Sequence, residues 1–417
     1  MAYEQSGDGN AHIKTEPLVK TGPLVGVRVV ELGSTVAGPF CARLLGDFGA
    51  DVIKIEQPEG DTVRTIGKKV NGRSLYAASL MRGKRIIAVN LRTDDGRSIA
   101  RKLCEKADVV VENFRPGTLE KWGLGFDELS KVNPKIVMTR VSGFGQDGPY
   151  SHRPGYGVTS EAMSGLRAIT GYPDQPPPRV ATPLTDYIAG LYAAFGTVMA
   201  VMSARETGQG QIVDQALYEG AFSFMEPHIP AFQKLGEIAQ PTGSRMPGMV
   251  PNTLFPTADG GYIHVAAIAD GVFTRLAALI GKPELAQDKR FSTAAGRNEN
   301  ELAITEIVEA WTMSHGIKEL EIMLEDASVP AARIYYMNDI FEDPHFQARG
   351  MLQEVADPDL GTVTLAGVVP KLSRTAGSFS SAGQQIGQHS REILDQELGL
   401  SDEEITELAT AGVVSGC

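Results

Sequence analysis

Short runs of β-branched residues alternate with amphipathic stretches along the first third of the chain. The runs predict buried strands at 27–32, 51–56, 85–91, 108–114 and 135–144. Between them, apolar residues at three- and four-residue steps predict helices over 39–48 and 97–106. Nearly continuous apolar strands are typical of a parallel sheet that is covered on both faces. The pattern therefore predicts an α/β fold built on a doubly wound parallel sheet.

The turn after the first predicted strand reads LGSTVAGPF and contains Gly33, Gly38 and Pro39. Proline is favoured at the first position of a helix, so a helix is expected to start here. The glycine spacing differs from the GxGxxG pattern that receives a dinucleotide pyrophosphate. The turn therefore argues against a nicotinamide cofactor.

A long apolar segment, YIAGLYAAFGTVMAVMSARE, follows a proline-rich stretch and is predicted to be a helix. Its larger apolar residues repeat at helical spacing, which predicts a buried core face formed by Ile188, Leu191, Tyr192, Phe195, Val198, Met199 and Met202. The apolar runs are expected to be shorter than the roughly 20 residues that a membrane-spanning helix needs, so no membrane association is expected.

The composition changes at residue 223, and residues 223–340 predict a second, smaller α+β domain. Near the carboxyl terminus, Ser401 and Glu404 have the spacing of a capping box and predict the start of a helix.

The net charge of the chain restricts its partners. The 417 residues include 39 Lys and Arg against 51 Asp and Glu, which gives a formal charge of −12. Proteins that neutralise nucleic-acid phosphates are basic, so a nucleic-acid partner is not expected. Any anionic ligand has to be met by a local cluster of basic side chains.

The cysteine content and the amino-terminal sequence predict the cellular compartment of the protein. The three cysteines are scattered and form no CxxC pair, so neither a disulfide framework nor a bound metal is predicted. Residues 1–22 lack the basic and then apolar order of a signal peptide and are expected to be a flexible tail. A cytoplasmic location follows as an expectation.

Asp186 lies at the predicted start of the long apolar helix, in the sequence TPLTD. Two interpretations fit this position. Thr185 or Asp186 could be an ordinary N-cap, because helix amino termini favour side-chain oxygens and negative charge. Alternatively, the same unsatisfied amides could hold an ionised carboxylate in place as a nucleophile.

Basic residues occur at or near the ends of the predicted strands: Lys84, Arg85, Arg92, Arg115, Lys121 and Arg153. Ligands of open α/β sheets bind outside the carboxyl ends of the strands, where Arg92 and Arg115 are expected. In an acidic protein, a basic rim at this edge would suit a phosphate-bearing ligand. Solvated surface charge is the alternative interpretation.

Six segments make the chain recognisable when they are taken in order: VRVVELGSTVAGPFCARLLGDFGADVIKIEQPEGD, GKRIIAVNL, DVVVENFRPGTLEKWG, VSGFGQDGP, TDYIAGLYAAFG and GQGQIVDQALYEG. Together they closely resemble the family III CoA-transferases, the CaiB/BaiF group. The resemblance extends over residues 23–412.

The resemblance implies a specific organisation of the chain. A large Rossmann-like domain would be formed by residues 23–222 and by a return of residues 341–417, with the small domain at 223–340 between them. Two chains would thread through one another as an interlocked dimer, either with a second copy or with a paralogous subunit. The expected substrates are an acyl-CoA, which supplies coenzyme A, and a carboxylic acid.

The resemblance also assigns candidate site residues. The position of Asp186 carries the nucleophile in relatives. CoA contacts are expected at Ser34, Thr35, Val36, Ala37, Leu91, Arg92, Asn113, Phe114, Lys121, Trp122 and Arg153. No metal ligand is implied.

Departures from individual relatives narrow the expected chemistry. The formyl-CoA enzymes carry histidine and glutamine where this chain has Ser34 and Val36, and GSRMPGMVPN replaces their active-site glycine run. Oxalate is therefore disfavoured and a larger acid is expected, such as a dicarboxylate with succinyl-CoA as donor. Arg245 and His228 are candidates to meet its distal carboxylate, although structural roles are the simpler interpretation.

Two alternatives stay open. The α-methylacyl-CoA racemases share the aspartate but pair it with a histidine, and Tyr156 occupies the histidine position here. A racemase needs two bases, so a transferase is favoured. The other alternative is a subunit of a heteromeric CoA-transferase.

Overall fold

A computed structural model of the chain describes residues 21–417. The strands are β1 Arg28–Glu31, β2 Asp51–Glu56, β3 Lys69–Val70, β4 Arg73–Ser74, β5 Arg85–Val89, β6 Val109–Glu112, β7 Val137–Ser142, β8 Ile212–Ala216, β9 Asn252–Pro256, β10 Tyr262–Ala266, β11 Ala331–Arg333, β12 Leu352–Asp357, β13 Gly361–Ala366 and β14 Val414–Ser415. The expected amino-terminal tail, residues 1–22, lies outside the described residues except for its last two.

The helices are α1 Ala37–Asp47, α2 Leu75–Leu80, α3 Asp94–Glu105, α4 Thr118–Lys121, α5 Phe126–Val132, α6 Gly157–Met163, α7 Leu184–Thr207, α8 Leu217–Phe222, α9 His228–Leu235, α10 Asp270–Leu279, α11 Ala294–Glu299, α12 Glu301–Thr312, α13 Ile317–Asp326, α14 Met337–Glu342, α15 Pro344–Ala348, α16 Ser390–Leu398 and α17 Asp402–Thr410. Short 3₁₀ helices occupy Thr62–Thr65, Leu166–Ile169, Ser223–Met225 and Pro283–Ala286. The predicted capping box at Ser401 is confirmed at the start of α17.

The main sheet has the strand order β14-β5-β2-β1-β6-β7-β8. All neighbouring strands pair in parallel except β14, which pairs antiparallel with β5. The five strands predicted from the sequence are confirmed. The two strands that the pattern missed are at the edges of the sheet. β8 alternates exposed and half-buried residues, and β14 has two residues, so neither carries a long apolar run.

Both faces of the sheet are covered, as a doubly wound fold requires. Val29 and Val30 are neighbours on β1, and their side chains belong to different cores. Val29 packs with residues of α1 and α7, whereas Val30 packs with residues of α3, α5, α16 and α17. The alternation of side chains along a strand produces this separation.

The long helix α7 buries a different face from the one predicted. Its small residues are buried, among them Ala189, Ala193, Thr197, Ala200 and Ala204, because small side chains allow the helix to lie close to the sheet and to α1. The large residues Leu191, Phe195, Met199 and Met202 are instead 50–66% exposed in the single chain. The expectation of a buried face of large side chains was therefore wrong.

The length and apolar composition of α7 would allow it to cross a membrane, contrary to the expectation that no segment approaches that length. In this structure, 44% of its most apolar stretch is buried inside the chain. Packing against the sheet therefore buries one face of α7.

The described chain divides into two compact units. The first unit comprises the residues up to Gly157, Pro183–Gly220 and Met351–Cys417, and it contains the main sheet. The second unit comprises Val158–Thr182 and Ala221–Gly350. Its antiparallel sheet has the order β11-β10-β9 and shares a core with α10, α12 and α13, which gives this unit an α+β architecture.

The unit boundaries differ from the expected limits of 223–340 and 341–417. Residues 158–182 belong to the second unit because they bond within it: the Gly243 amide donates to the Gly171 carbonyl at 2.8 Å. The second unit also continues to Gly350, since the Tyr335 hydroxyl donates to Asp343 at 3.0 Å. Contacts between distant segments decide both boundaries.

Candidate active site

A cavity of about 540 Å³ lies within the first unit, at the carboxyl edge of the main sheet. Residues that follow β1 and β6, the end of β7, the loop at 151–156, Asp186 and Leu217 line it. Strand order reverses between β1 and β6, and open parallel sheets bind ligands at such switch points. The volume is within the range of about 300–1,000 Å³ that is usual for small-molecule sites.

The turn between β1 and α1 forms one wall of the cavity and is held from behind by side chains. The side-chain oxygen of Asn113 accepts a hydrogen bond from the backbone amide of Ser34 at 2.7 Å. The side-chain nitrogen of Asn113 donates a hydrogen bond to the Ser34 carbonyl at 2.8 Å. Thr35 has a left-handed backbone with φ of 68°, and its amide donates to Asp61 at 3.0 Å. These contacts fix a strained turn.

The helix α1 begins at this turn, with Val36 at the N-cap position. A valine side chain cannot accept a hydrogen bond, so it leaves the amides of the first turn without a side-chain cap. Ser34, Thr35, Val36 and Ala37 all line the cavity. Free amides at the amino terminus of a helix attract anions.

A fully buried group of charges lies beneath the turn. Lys54 Nζ lies 2.9 Å from Glu31 Oε1 and 2.8 Å from Asp61 Oδ2, and it donates to the Gly33 carbonyl at 2.7 Å. Lys84 Nζ lies 2.6 Å from the second oxygen of Glu31. The turn is therefore attached to the sheet by ionic contacts that are shielded from water.

The two lysines differ in their pKa because their carboxylate neighbours differ. Burial acts to lower the pKa of Lys54, but the charges of Asp61, Glu31 and Glu56 outweigh it and raise the pKa. Lys84 is equally buried, and burial together with the positive charge of Lys54 outweighs the attraction of Glu31 and Asp61 and lowers its pKa. For Asp61, burial opposes ionisation, but the charge and hydrogen bond of Lys54, together with the hydrogen bonds from the Val63 and Thr35 amides, outweigh burial and lower the pKa.

Asp186 lies in the first turn of α7 and lines the cavity. The helix begins at Leu184 with Pro183 as its N-cap, so, of the two interpretations of this position, the one that makes Thr185 or Asp186 the N-cap is wrong. The first helical bond runs from the Tyr187 amide to the Pro183 carbonyl at 3.1 Å. A carboxylate within the first turn benefits from the positive end of the helix dipole.

The surroundings of Asp186 include backbone and aromatic groups. The neighbouring Thr185 hydroxyl donates to the Gly157 carbonyl at 2.8 Å, which attaches the loop to the helix. The Tyr187 hydroxyl donates to the Tyr76 hydroxyl at 3.0 Å. Burial, this bond and the nearby negative charge of Asp186 raise the pKa of Tyr76, which stays protonated.

The structure brings eight of the twelve predicted site residues to the cavity wall: Asp186, Ser34, Thr35, Val36, Ala37, Asn113, Phe114 and Arg153. Arg153 stacks on the ring of Tyr150, with 3.6 Å between the guanidinium carbon and the ring centroid. The other four predicted residues are Leu91, Arg92, Lys121 and Trp122, which are described by the structure but are not among the lining residues.

Those four residues have other environments. The Leu91 side chain is buried in the core, Arg92 and Lys121 are exposed, and Trp122 packs edge-on against Phe114 with ring centroids 5.2 Å apart. Arg245 and His228 belong to the second unit. There, Nη1 of Arg245 lies 3.5 Å from Oε1 of Glu301.

Sequence reasoning missed the residues that shape the site from behind. Asp61 has no motif of its own, although its position in the recognised segment QPEGD was a usable signal. Gly155 lines the cavity, and Gly157 lies next to Asp186. Both glycines belong to the segment PGYG, of which only Tyr156 entered the sequence-based predictions. A glycine gives little signal until its neighbours in space are known.

The fold and the site define a class of protein: an open α/β protein with a ligand cavity that combines a helix amino terminus with a carboxylate. Comparisons with known proteins identify the family. The model of CoA-transferase family III matches residues 24–390. This chain therefore belongs to CoA-transferase family III, which confirms the resemblance noted in the sequence, and it is a CoA-transferase.

Relatives with similar sequences match this chain over nearly their whole length. Succinyl-CoA–D-citramalate CoA-transferase of Chloroflexus aurantiacus is 45% identical over 394 residues, which cover 94% of this chain and 98% of the relative. The succinyl-CoA–L-malate CoA-transferase beta subunit of that organism is 39% identical over 399 residues, with coverage of 94% and 98%. A crystal structure of a CaiB/BaiF family protein from Brucella suis has a TM-score of 0.81 at 34% identity and covers 91% of this chain and 100% of that one.

Proposed function

We propose that this enzyme moves CoA from succinyl-CoA to a dicarboxylic acid, with Asp186 as the covalent nucleophile. The observation that carries the proposal is that the carboxylate of Asp186 and the residues at the amino terminus of α1 line the same cavity. The names of the two Chloroflexus relatives support succinyl-CoA as the donor.

The residues around the cavity suit an anionic thioester substrate. The α1 amides offer hydrogen bonds to phosphate or thioester oxygens, and Arg115 and Arg153 also line the cavity. These side chains provide local positive charge in a chain with a net charge of −12. Leu91, Arg92, Lys121 and Trp122 remain predicted CoA contacts that a bound structure would test.

The proposed reaction consists of four acyl exchanges on Asp186. Its carboxylate attacks the thioester carbonyl of succinyl-CoA, the C–S bond breaks, and a mixed anhydride and CoA thiolate form. The thiolate then attacks the aspartyl carbon, which releases succinate and leaves an aspartyl-CoA thioester. The acceptor carboxylate displaces CoA to form a second anhydride, and the returning thiolate takes the acceptor acyl group and frees Asp186.

Each exchange replaces one activated acyl group by another, so the main hazard is hydrolysis of the anhydride. Tyr76 and Tyr187 are hydrogen-bonded to each other beside the start of α7, and Phe40 packs edge-on against Tyr187 with 4.7 Å between centroids. Tyr76 is close enough to be affected by the charge of Asp186, and we propose that these rings limit the access of water to the carboxylate from that side.

The acceptor is proposed to be a four- or five-carbon dicarboxylate with a hydroxyl group beside one carboxylate. Citramalate and malate, which the names of the relatives contain, are both such acids. Initial rates with succinyl-CoA and a panel of citramalate, malate, mesaconate, glutarate and oxalate test this assignment. A preference for oxalate would contradict it.

The nucleophile is tested by trapping. Incubation with succinyl-CoA followed by hydroxylamine or borohydride, and then peptide mass spectrometry, is expected to find the modification on Asp186. Asp186→Asn is expected to lose transfer, whereas the control Asp127→Asn, an exposed acid in the first turn of α5, is expected to retain it. Wild-type rates in Asp186→Asn would refute the proposed function.

The racemase alternative predicts a different reaction. A racemase exchanges the α-proton of an acyl-CoA in deuterated water without any acceptor acid. We expect no such exchange, because Tyr156 replaces the histidine that would be the second base. Exchange at the rate of transfer would favour the isomerase.

A dimer is proposed to cover the exposed face of α7. Leu191, Phe195, Met199 and Met202 form a stripe of large apolar side chains, which is unusual on a surface that faces water. We assign this stripe to a second copy of the chain. A paralogous partner is the alternative, because the malate relative is named as a beta subunit.

The assembly is tested by light scattering of the chain expressed alone. A mass of twice 44.6 kDa together with full activity is expected. Phe195→Glu is expected to reduce the dimer, whereas Val132→Glu, at another exposed apolar position, leaves it intact. A single-chain mass, or activity only after addition of another subunit, would contradict the homodimer.

A further inference from the structure

We propose that Gly157 is a positioning residue: the carboxylate of Asp186 occupies the space that any side chain at position 157 would need. This inference rests on the proposed function, in which Asp186 is the nucleophile. It assigns a role in catalysis to a residue that contributes no functional group.

The contact between the two residues is very close. A β-carbon built on Gly157 would lie 1.8 Å from Asp186 Oδ2 and 2.8 Å from its Cγ. It would also lie 3.0 Å from the Thr185 hydroxyl oxygen. Carbon and oxygen atoms that are not bonded need well over 3 Å, so a methyl group and the present carboxylate position exclude each other.

The backbone at Gly157 is held and has little freedom to retreat. The Thr185 hydroxyl donates to the Gly157 carbonyl at 2.8 Å. Two residues earlier, Gly155 lies against Gly143 at the end of β7, and a β-carbon on either glycine would be 2.7 Å from the other's Cα. Because the loop is held on both sides, the carboxylate is the group that must move.

Backbone conformation does not explain the glycine at this position. Gly145 and Gly148 have φ of 90° and 79°, which disfavours any side chain there. Gly157 is not among the residues with positive φ, and it begins the helix α6. Alanine can therefore adopt its backbone conformation, and the space filled by Asp186 is the remaining constraint.

Alanine at position 157 should separate catalysis from stability. The displaced atoms are the carboxylate of Asp186, whose side chain can rotate to another conformer, and the Thr185 hydroxyl, which has to shift by a few tenths of an ångström. A nucleophile moved by about 1 Å typically loses on the order of 100-fold in rate. Binding of CoA should change little, because the expected contacts at Ser34–Ala37 and Asn113 lie on other segments, and Arg153 precedes the held Gly155 on the loop.

The experiment compares Gly157→Ala with Gly271→Ala in the intact enzyme. Gly271 lies in α10, has no atom within 4 Å of a built β-carbon and no positive φ, so it controls for adding a methyl group. Initial rates with succinyl-CoA and citramalate, calorimetry of CoA binding, trapping of the aspartyl adduct and thermal unfolding are measured on both variants.

For Gly157→Ala we expect kcat and the rate of adduct formation to fall by about 100-fold. The affinity for CoA should stay within about threefold, and the unfolding temperature within about 3 °C, of the wild type. Gly271→Ala should match the wild type in all four measurements. A kcat within about threefold of wild type for Gly157→Ala would overturn the inference.

Loss of activity accompanied by a large fall in the unfolding temperature or in CoA affinity would also overturn it, since displacement of one carboxylate causes neither. The parallel Asp186→Asn variant separates this inference from the proposed function. If Asp186→Asn is inactive and Gly157→Ala is fully active, the inference fails alone; if Asp186→Asn is active, the proposed function fails.

Discussion

Replacing Lys54 by methionine should destabilise the first unit strongly, because Lys54 lies between two buried carboxylates. Its ammonium is 2.9 Å from Glu31 and 2.8 Å from Asp61, and all three side chains are almost completely inaccessible to water. Methionine fills a similar volume, so the perturbation is mainly electrostatic. Lys84 continues to neutralise Glu31, which leaves Asp61 without its ionic partner.

The expected magnitude follows from the cost of stranding a buried charge. Removal of one partner of a buried ion pair typically costs about 3–5 kcal/mol of unfolding free energy. In a unit of this size, that loss corresponds to a fall of roughly 10 °C in the unfolding temperature. The control is Lys131→Met, which removes an exposed pair with Glu128 and should leave the unfolding free energy almost unchanged.

The pH dependence has a defined sign. In the wild type, the pKa of Asp61 is lowered, so its contribution to stability is present above the unfolded pKa and is lost as the pH falls through the folded pKa. In Lys54→Met, burial without the ammonium should raise the pKa of Asp61, so protonation favours the folded state. The stability difference between the two proteins should therefore narrow from about pH 8 to about pH 5.

The measurement is urea unfolding followed by tryptophan fluorescence. A Trp311→Phe background leaves Trp122 to report on the first unit. The double variant Lys54→Met/Asp61→Asn should recover part of the loss, because it removes the stranded charge. A destabilisation below about 1 kcal/mol, or a difference that stays constant or widens at low pH, would refute the reasoning.

Two further predictions concern the turn and the thiols. Asn113→Ala removes both hydrogen bonds to the first turn and should raise the KM for succinyl-CoA about tenfold. Asn133→Ala, which also loses two backbone bonds but outside the cavity, should leave KM unchanged, and an equal rise would contradict the role of the turn. Burial raises the pKa of Cys41 and Cys104 to about 12, so iodoacetamide should modify Cys417 in the folded protein and all three thiols after unfolding. Peptide mass spectrometry measures the labelling, and modification of either buried thiol in the folded chain would contradict the packing.

The sequence by itself determined the central sheet and the family. The five strands and the helices between them carry strong local signals, because a strand that is buried on both faces is predominantly apolar. The family resemblance, which rests on segments that are contiguous in the chain, predicted that Asp186 and the turn at Ser34–Ala37 belong to the site, and both line the cavity. The edge strands β8 and β14 were missed because partly exposed or very short strands carry no such run.

The tertiary structure alone decided which residues support and limit the site. The buried face of α7 is its small-residue face, because close packing against the sheet depends on the volume available and not on hydrophobicity alone. Lys54 lies in a predicted strand and Asp61 in a loop, and no local pattern indicates that the two side chains pair beneath the turn. Gly157 gains its significance from one carboxylate that lies 29 positions further along the chain, and such a contact is set by three-dimensional packing that no local pattern records.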